Sequence, residues 1–321
     1  MFARLVILDV RTKHLFGSIC VAIATFRRWR GIVGQRDITF RLMQVVPFMG
    51  QLADVAQLYG RTADEQAERD RTQTQAVRRW LGVDKDVVVA VVTAWLRPDD
   101  RLFLVPGWTD ASALAALAAS VGDELGRSVS LQADFHGDLI GALSQEGFMI
   151  ETVSEAFEVP FASVLGVLAR AKQTLGYSIV SAADAAEDRL FDLDNALRNL
   201  VRGTDGWFGD RAWFHQELAE SPPFDSRAYL VAVHKASGDY VGLVRVWRNP
   251  AHPRLGMVGV LPTHRSTTVA VMLLGQALEA ASLWGSDTFL TEVSIEDQIL
   301  YPRVLRYGGV SRGRFAQLTR S

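Results

Sequence analysis

A stretch of small residues follows Pro262, at the point where a long apolar run begins. The apolar run predicts a helix over residues 267–284. Backbone N–H groups at the amino end of a helix attract anions, assisted by the helix dipole, and small side chains let that backbone approach an anion closely. A helix start of this kind could attract an anionic group, although the residue types alone do not identify which one.

A carboxylate, Glu292, lies in the middle of an apolar strand predicted over residues 288–294. Strand alternation places it on the same face as Leu290 and Ser294, opposite Thr291 and Val293. A carboxylate beside a cleft could accept a proton from a substrate, directly or through water. A solvated or ion-paired strand residue is the alternative, and the sequence leaves both open.

The elements that would position these residues occur in two copies. In the first copy, strands are predicted at residues 38–44, 87–96 and 129–135, and helices at residues 48–59, 65–81, 111–125 and 138–146. In the second copy, strands are predicted at residues 177–181, 229–234, 240–247, 257–261 and 288–294, and helices at residues 185–201, 212–218, 267–284 and 301–306. Gly147 and Gly308, 161 residues apart, each end the last helix of a copy. This internal repeat of about 140 residues predicts two domains, at residues 37–165 and 176–321.

Residues 1–36 differ from the rest because they contain seven basic residues and one acidic residue. We expect a basic, poorly packed extension. Its apolar run at residues 15–26 is shorter than the roughly 20 residues that span a bilayer. A signal peptide is the less favoured alternative, since a basic segment follows the run without a convincing cleavage site.

Composition excludes several classes of protein. Lys and Arg number 34 against 36 Asp and Glu, so the net charge of −2 does not favour a nucleic-acid partner. The single cysteine, Cys20, excludes an intrachain disulfide, and the six histidines form no zinc motif, so we expect no metal. We expect a cytoplasmic protein without stable membrane insertion, and its oligomeric state stays open.

The order of elements, with a glycine closing the last helix, resembles the GCN5-related N-acetyltransferase (GNAT) superfamily. The resemblance covers residues 177–320 well and residues 38–160 more faintly. The family pattern at the helix start is Arg/Gln-x-x-Gly-x-Gly/Ala, and here Thr268 replaces the central glycine between Arg265 and Ala270. The resemblance implies an α/β fold with a mixed α+β sheet: two tandem GNAT-like domains, each a mostly antiparallel mixed sheet flanked by helices.

The resemblance also implies an activity, the transfer of an acetyl group from acetyl-CoA to a primary amine of a small molecule. Cofactor contacts are implied for the strand backbone at Val258, Gly259 and Val260, and for Asp297 at the position of a family asparagine. At the helix start, the resemblance implies a site for the diphosphate, formed by Arg265, Ser266, Thr267, Thr268, Val269 and Ala270. Val304 replaces the tyrosine that usually protonates the leaving thiolate in this family. Tyr301 and Tyr307, one helical turn to either side, are therefore the candidates for this role, and water is the alternative. Glu292 is the candidate base. The acceptor wall corresponds to Asp192, Asp194, Asp205 and Trp207.

The first copy lacks the segment that would bind phosphates. Residues 104–110 run directly into the helix at residues 111–125, and this connection is eight residues shorter than in the second copy. We therefore expect the N-terminal copy to be degenerate and the C-terminal copy to be active. Two alternatives remain open: a decayed, non-catalytic tandem that serves as a ligand-binding or interaction module, and acetylation of a protein lysine or N-terminus.

Overall fold

The structure is a computed structural model. It describes residues 5–6, 28–29, 38–44, 52–72, 78–84, 87–135, 137–168, 176–201, 204, 206–220, 225–249, 252–265 and 268–321. Expectations for Ser266, Thr267 and Asp205, and for most of residues 1–36, fall outside these ranges.

The elements alternate between strands and helices along the chain. The strands are β1 Leu5–Val6, β2 Arg28–Trp29, β3 Ile38–Gln44, β4 Arg78–Asp84, β5 Val87–Leu96, β6 Leu102–Trp108, β7 Val129–Asp134, β8 Met149–Pro160, β9 Tyr177–Ser181, β10 Tyr229–His234, β11 Tyr240–Trp247, β12 Arg254–Val260, β13 Thr288–Ser294 and β14 Val310–Arg320. The helices are α1 Leu52–Leu58, α2 Ala63–Thr72, α3 Ala111–Leu125, α4 Gly137–Gln145, α5 Phe161–Leu168, α6 Glu187–Arg198, α7 Arg211–Glu220, α8 Val269–Ser282 and α9 Leu300–Arg306.

The chain divides into two compact units that do not follow the chain order strictly. The N-terminal unit comprises residues 11–151 and 315–321, and the C-terminal unit comprises residues 1–10 and 152–314. The ranges expected from the repeat, 37–165 and 176–321, assign each terminal strand to its own copy. In the structure, the end of β14 pairs with β7, and β8 pairs with β13. The end of β14, from the second repeat, therefore belongs to the sheet of the N-terminal unit. Most of β8, from the first repeat, belongs to the sheet of the C-terminal unit.

The sheet of the N-terminal unit runs in the order β2, β3, β4, β5, β6, β7 and the end of β14. Strands β6 and β7 are parallel at Leu102, Phe103 and Leu104, whereas the other pairs described in this unit are antiparallel. Helix α3 packs an Ala- and Leu-rich face against this sheet, and its Leu114 and Leu117 are fully buried.

The sheet of the C-terminal unit runs in the order β8, β13, β12, β11, β10 and β9, and β1 pairs antiparallel with β12. The β12–β13 pair is parallel, and the other pairs described here are antiparallel. Helix α8 buries Val269, Leu273, Ala277 and Ala281 in the core. These residues recur every four positions, so they form one apolar stripe along the helix.

The prediction of a mixed α+β sheet with flanking helices is confirmed in both units. Strands β3, β5, β9, β10, β11 and β13 and helix α3 have the predicted bounds. The helix predicted over residues 65–81 is wrong at its carboxyl end. That helix stops at Thr72, and Arg78 begins β4, where Trp80 and Leu81 are buried between β3 and β5.

Candidate functional site

Strands β12 and β13 separate soon after they meet. Their parallel pairing holds one register pair, Arg254 with Leu290. Beyond it, β12 continues to pair with β11 as far as Val260, and β13 continues to pair with β8 as far as Ser294. An opening therefore lies between the two strands, and within it β1 pairs with Met257 and Val258 of β12.

An apolar cavity of about 100 Å³ lies along this opening. Strand β12 contributes Val258, Gly259 and Val260 to its lining, and β13 contributes Phe289, Thr291 and Val293. Helices close the rest, with Ala270, Val271 and Leu274 from α8, Leu300, Arg303, Val304 and Tyr307 from α9, and Val164 and Leu168 from α5. The shape and lining suit an uncharged, flexible arm, because charged groups lose too much hydration in apolar surroundings.

The lining brings together four residues that were predicted to bind a cofactor. Val258, Gly259, Val260 and Ala270 all line the cavity. Arg265 lies beside it and donates from Nε to the carbonyl oxygen of Val260 at 3.2 Å. Val269 is fully buried in the core beneath the start of α8.

The amino ends of α3 and α8, which occupy equivalent places in the two copies, carry different N-cap residues. In α3, the Asp110 carboxylate accepts hydrogen bonds from the N–H groups of Ser112 and Ala113, both at 3.0 Å. In α8, the N-cap residue is the uncharged Thr268, whose side chain makes no capping hydrogen bond. A carboxylate at a helix amino end satisfies the N–H groups there and repels other anions. Helix α8 is thus the better anion site, because its N-cap adds no negative charge.

Glu292 lies on the face of β13 opposite the cavity, because Thr291 and Val293 on either side of it face inward. The Ser154 hydroxyl donates a hydrogen bond to Glu292 Oε1. Arg254 Nη2 lies 3.8 Å from Glu292 Oε2. The opening between β12 and β13 thus has the apolar cavity on one face of the sheet and a carboxylate on the other.

The two candidate tyrosines have different surroundings. Tyr301 donates from its hydroxyl to Glu155 Oε2 at 2.6 Å, and this hydrogen bond, together with burial, raises the pKa of Tyr301. Arg314 Nε donates to the same oxygen at 2.8 Å. Burial favours the neutral form of Glu155, but hydrogen bonds from Ser311, Tyr301 and Arg314 outweigh it and lower the pKa of that carboxyl. Tyr301 is therefore engaged by Glu155, whereas Tyr307 lines the cavity.

Asp297 makes hydrogen bonds at the start of α9. Its Oδ1 accepts from the N–H groups of Ile299 at 2.9 Å and Leu300 at 2.8 Å. The carboxylate thus satisfies backbone donors at the amino end of the helix. These two hydrogen bonds explain why an acidic residue occupies position 297, and the explanation does not require a cofactor contact.

The expected acceptor wall is largely internal. Asp194 is 1% exposed and accepts from Arg198 Nε at 2.6 Å, one turn along α6. Trp207 is also 1% exposed, and it packs against Trp213 and the Arg198 guanidinium. These contacts hold Asp194 and Trp207 in a buried cluster, so they form part of the core of this unit. Asp192 on the same helix is exposed.

The sequence did not predict that two polar residues, Arg303 and Thr291, line the cavity. Arg303 on α9 lines the cavity among apolar neighbours. Thr291 is 3% exposed, and its Oγ1 has no hydrogen-bond partner among the residues that the structure describes. Alternation placed Thr291 on the face opposite Glu292, but only the position of α8 and α9 identifies that face as the cavity.

The ranges described contain no group of three His, Cys, Asp or Glu residues that could hold a metal ion. Within the same ranges, no helix is both long and apolar enough to cross a membrane.

Comparison with solved structures identifies the fold. A tandem GNAT protein from the clavulanic acid biosynthesis pathway matches with a TM-score of 0.61 at 14% identity, covering 88% of this chain and 98% of that chain. A GCN5-related N-acetyltransferase from Sphaerobacter thermophilus matches with a TM-score of 0.60 at 15% identity, covering 88% of this chain and 95% of that chain. A probable N-acyltransferase from Enterococcus faecalis matches with a TM-score of 0.53 at 12% identity, covering 88% and 72% of the two chains.

No protein-family model and no curated protein matches the sequence. The structural matches extend over most of the chain and include a two-copy protein of nearly equal extent. The chain therefore has the GNAT fold in a tandem arrangement, as the order of its elements predicted.

Proposed function

We propose that this protein is an N-acetyltransferase that moves an acetyl group from acetyl-CoA to a primary amine of a small molecule, with the C-terminal unit active. The observation that carries the proposal is the apolar cavity between β12 and β13, which extends to the amino end of α8. Similar solved structures are N-acetyltransferases, and their fold is shared by this chain.

The residues around the cavity fit the parts of acetyl-CoA. The apolar lining suits the uncharged arm that carries the thioester. The amino end of α8, where the N-cap Thr268 brings no negative charge, suits the diphosphate. Arg303 and Arg265 add positive charge at and beside the cavity. In the N-terminal unit, the Asp110 carboxylate at the equivalent helix end argues against a second donor site.

When bound, acetyl-CoA supplies the acetyl group and the leaving thiol. Glu292 lies on the opposite face of β13, where it can take a proton from an amine that enters from that side. Ser154 orients the carboxylate through Oε1, which leaves Oε2 beside Arg254. For the thiolate, Tyr307 is the candidate proton donor within the cavity, because the hydroxyl of Tyr301 already donates to Glu155.

The proposal is tested by measuring thiol release from acetyl-CoA with a panel of small primary amines and with lysine-containing peptides. We expect thiol release that depends on a small amine, with an acetylated product of matching mass. Release with peptides alone would instead assign a protein acceptor. No product with any acceptor, despite binding of acetyl-CoA, would assign the non-catalytic alternative.

The non-catalytic alternative has one observation in its favour. The family tyrosine position is Val304, and the nearby Tyr301 hydroxyl is hydrogen-bonded to Glu155. A ligand-binding module would show a thermal shift with acetyl-CoA, which at 100 times the dissociation constant corresponds to about 2.7 kcal/mol of added stability, whereas an interaction module would show none. Neither module would form product.

A further inference from the structure

Thr291 places a hydroxyl in surroundings that do not satisfy it. The two residues that share its face of β13, Phe289 and Val293, are apolar and buried, and its cross-strand partner is Phe157 of β8. Thr291 itself is 3% exposed, and its Oγ1 has no hydrogen-bond partner among the residues described. A hydroxyl in that position costs stability, because it has lost its hydrogen bonds to water.

A valine side chain would fill the same space without this cost. Valine and threonine have nearly the same shape and share a strong preference for strands, so β13 would form equally well with valine in place of Thr291. The hydroxyl is therefore not needed for the strand or for packing. A polar group that a fold buries without a partner calls for an explanation, and a ligand that completes it is one.

The position of Thr291 identifies the ligand group that would complete it. The residue lines the cavity together with Val258 on β12 and Val304 on α9. A hydroxyl can donate to a carbonyl oxygen, and the acetyl-CoA arm carries carbonyl oxygens in its thioester and its amides. A hydroxyl at this place on β13, among apolar neighbours, would fix the position of the arm along the opening.

We infer that Thr291 is a donor-positioning residue, whose hydroxyl donates a hydrogen bond to a carbonyl oxygen of the acyl-CoA arm. The inference rests on the proposed function, because it assumes that the cavity takes that arm. This hydrogen bond would fix the position of the thioester relative to Glu292, which lies on the other face of β13.

The test compares Thr291→Val with Thr291→Ser and the wild type, in the full chain. Without ligand, Thr291→Val should be at least as stable as the wild type in urea denaturation, because it removes an unsatisfied buried hydroxyl. With acetyl-CoA, calorimetric titration should show roughly tenfold weaker binding for Thr291→Val, which equals about 1.4 kcal/mol. Thr291→Ser keeps the hydroxyl, so its affinity should stay within about threefold of the wild type.

Free CoA distinguishes the two carbonyl sources. If the hydroxyl contacts the thioester, Thr291→Val should weaken binding of acetyl-CoA and leave binding of CoA unchanged. If it contacts an amide of the arm, both ligands should lose affinity equally. Either result supports the inference.

Two results would overturn it. Unchanged binding of both ligands by Thr291→Val would remove the ligand role and leave the proposed function intact. A less stable Thr291→Val protein without ligand would show that the hydroxyl serves the fold instead. By contrast, a wild-type protein that binds neither acetyl-CoA nor CoA would contradict the proposed function itself.

Discussion

Asp110 and Thr268 hold the N-cap positions of equivalent helices, and only Asp110 caps its helix with its side chain. The Asp110 carboxylate accepts from two N–H groups of α3 and places a negative charge at that end. Thr268 places no charge at the start of α8. The amino end of α3 is therefore stabilised by a carboxylate that repels anions, whereas the amino end of α8 can attract an anion.

Thr268→Asp should place a carboxylate at the N-cap of α8, as Asp110 does in α3. We expect acetyl-CoA binding to weaken at least about tenfold, because a carboxylate there competes for the N–H groups and repels the diphosphate. In urea denaturation, the same variant should have a free energy of unfolding about 0.5–1 kcal/mol higher than the wild type, because aspartate is a good N-cap.

Thr268→Gly is the matched control, since it removes the side chain without adding charge. It should bind acetyl-CoA at least as tightly as the wild type. Stabilisation of Thr268→Asp without loss of affinity would place the phosphates elsewhere.

Glu292→Gln should separate chemistry from donor binding. The amide keeps the size of the side chain but cannot accept the proton of the amine, so we expect kcat to fall about 10²-fold or more. The affinity for acetyl-CoA should not change, because Glu292 lies on the face of β13 opposite the cavity. Steady-state kinetics and titration calorimetry measure the two effects, and a large loss of donor affinity would contradict this placement of Glu292.

Strand β1 pairs with β12 at Met257 and Val258, inside the opening that we assign to the donor arm. A donor that uses the same edge of β12 has to displace it. A chain lacking residues 1–10 should therefore bind acetyl-CoA more tightly than the full chain in calorimetric titration.

Val6→Pro in the full chain is the matched variant, because proline removes a backbone N–H from the strand. It should change the affinity in the same direction. Weaker binding by both variants would show that β1 supports the site.

Asp225 in the C-terminal unit contributes to the pH dependence of stability. Hydrogen bonds from Arg227, with another from Trp284 Nε1 at 2.9 Å, lower the pKa of Asp225 to about 2, although partial burial opposes the shift. The pKa of an aspartate in an unfolded chain is about 3.9. The ionised carboxylate thus contributes about 2 kcal/mol above pH 4, and this contribution is lost as the pH falls toward 2.

Asp225→Asn removes that titration. Between pH 5 and pH 2.5, urea denaturation should show the wild type losing about 1–2 kcal/mol more unfolding free energy than the variant. Equal losses for the two proteins would show that Asp225 is not held in its ionised form by these contacts.

The sequence predicted the elements whose residues repeat with a clear period. The alternation in β13 and the apolar stripe of α8 locate those elements to within two residues, because the burial of one face dictates both patterns. The stretch at residues 65–81 was misassigned because its charged helical pattern continues into Arg78 and Arg79. Residues 78–84 form a strand instead, because they pair with β3 on one side and β5 on the other.

The site was only partly predictable. The resemblance to the GNAT superfamily pointed to Val258, Gly259 and Val260, and these residues line the cavity. The burial of Asp194 and Trp207 was not predicted, because it depends on Arg198, which pairs with Asp194 and packs against Trp207 and Trp213. Thr291 became informative only once its neighbours were known, since a missing hydrogen bond leaves no trace in the sequence.

Hydrogen–deuterium exchange with and without acetyl-CoA tests the central claim, that the donor binds in the C-terminal unit between β12 and the amino end of α8. We predict slower exchange on addition of acetyl-CoA in peptides that contain residues 258–260 and 268–272, and no change in peptides that contain residues 104–113. Protection confined to residues 104–113, or no protection anywhere at saturating acetyl-CoA, would contradict the account.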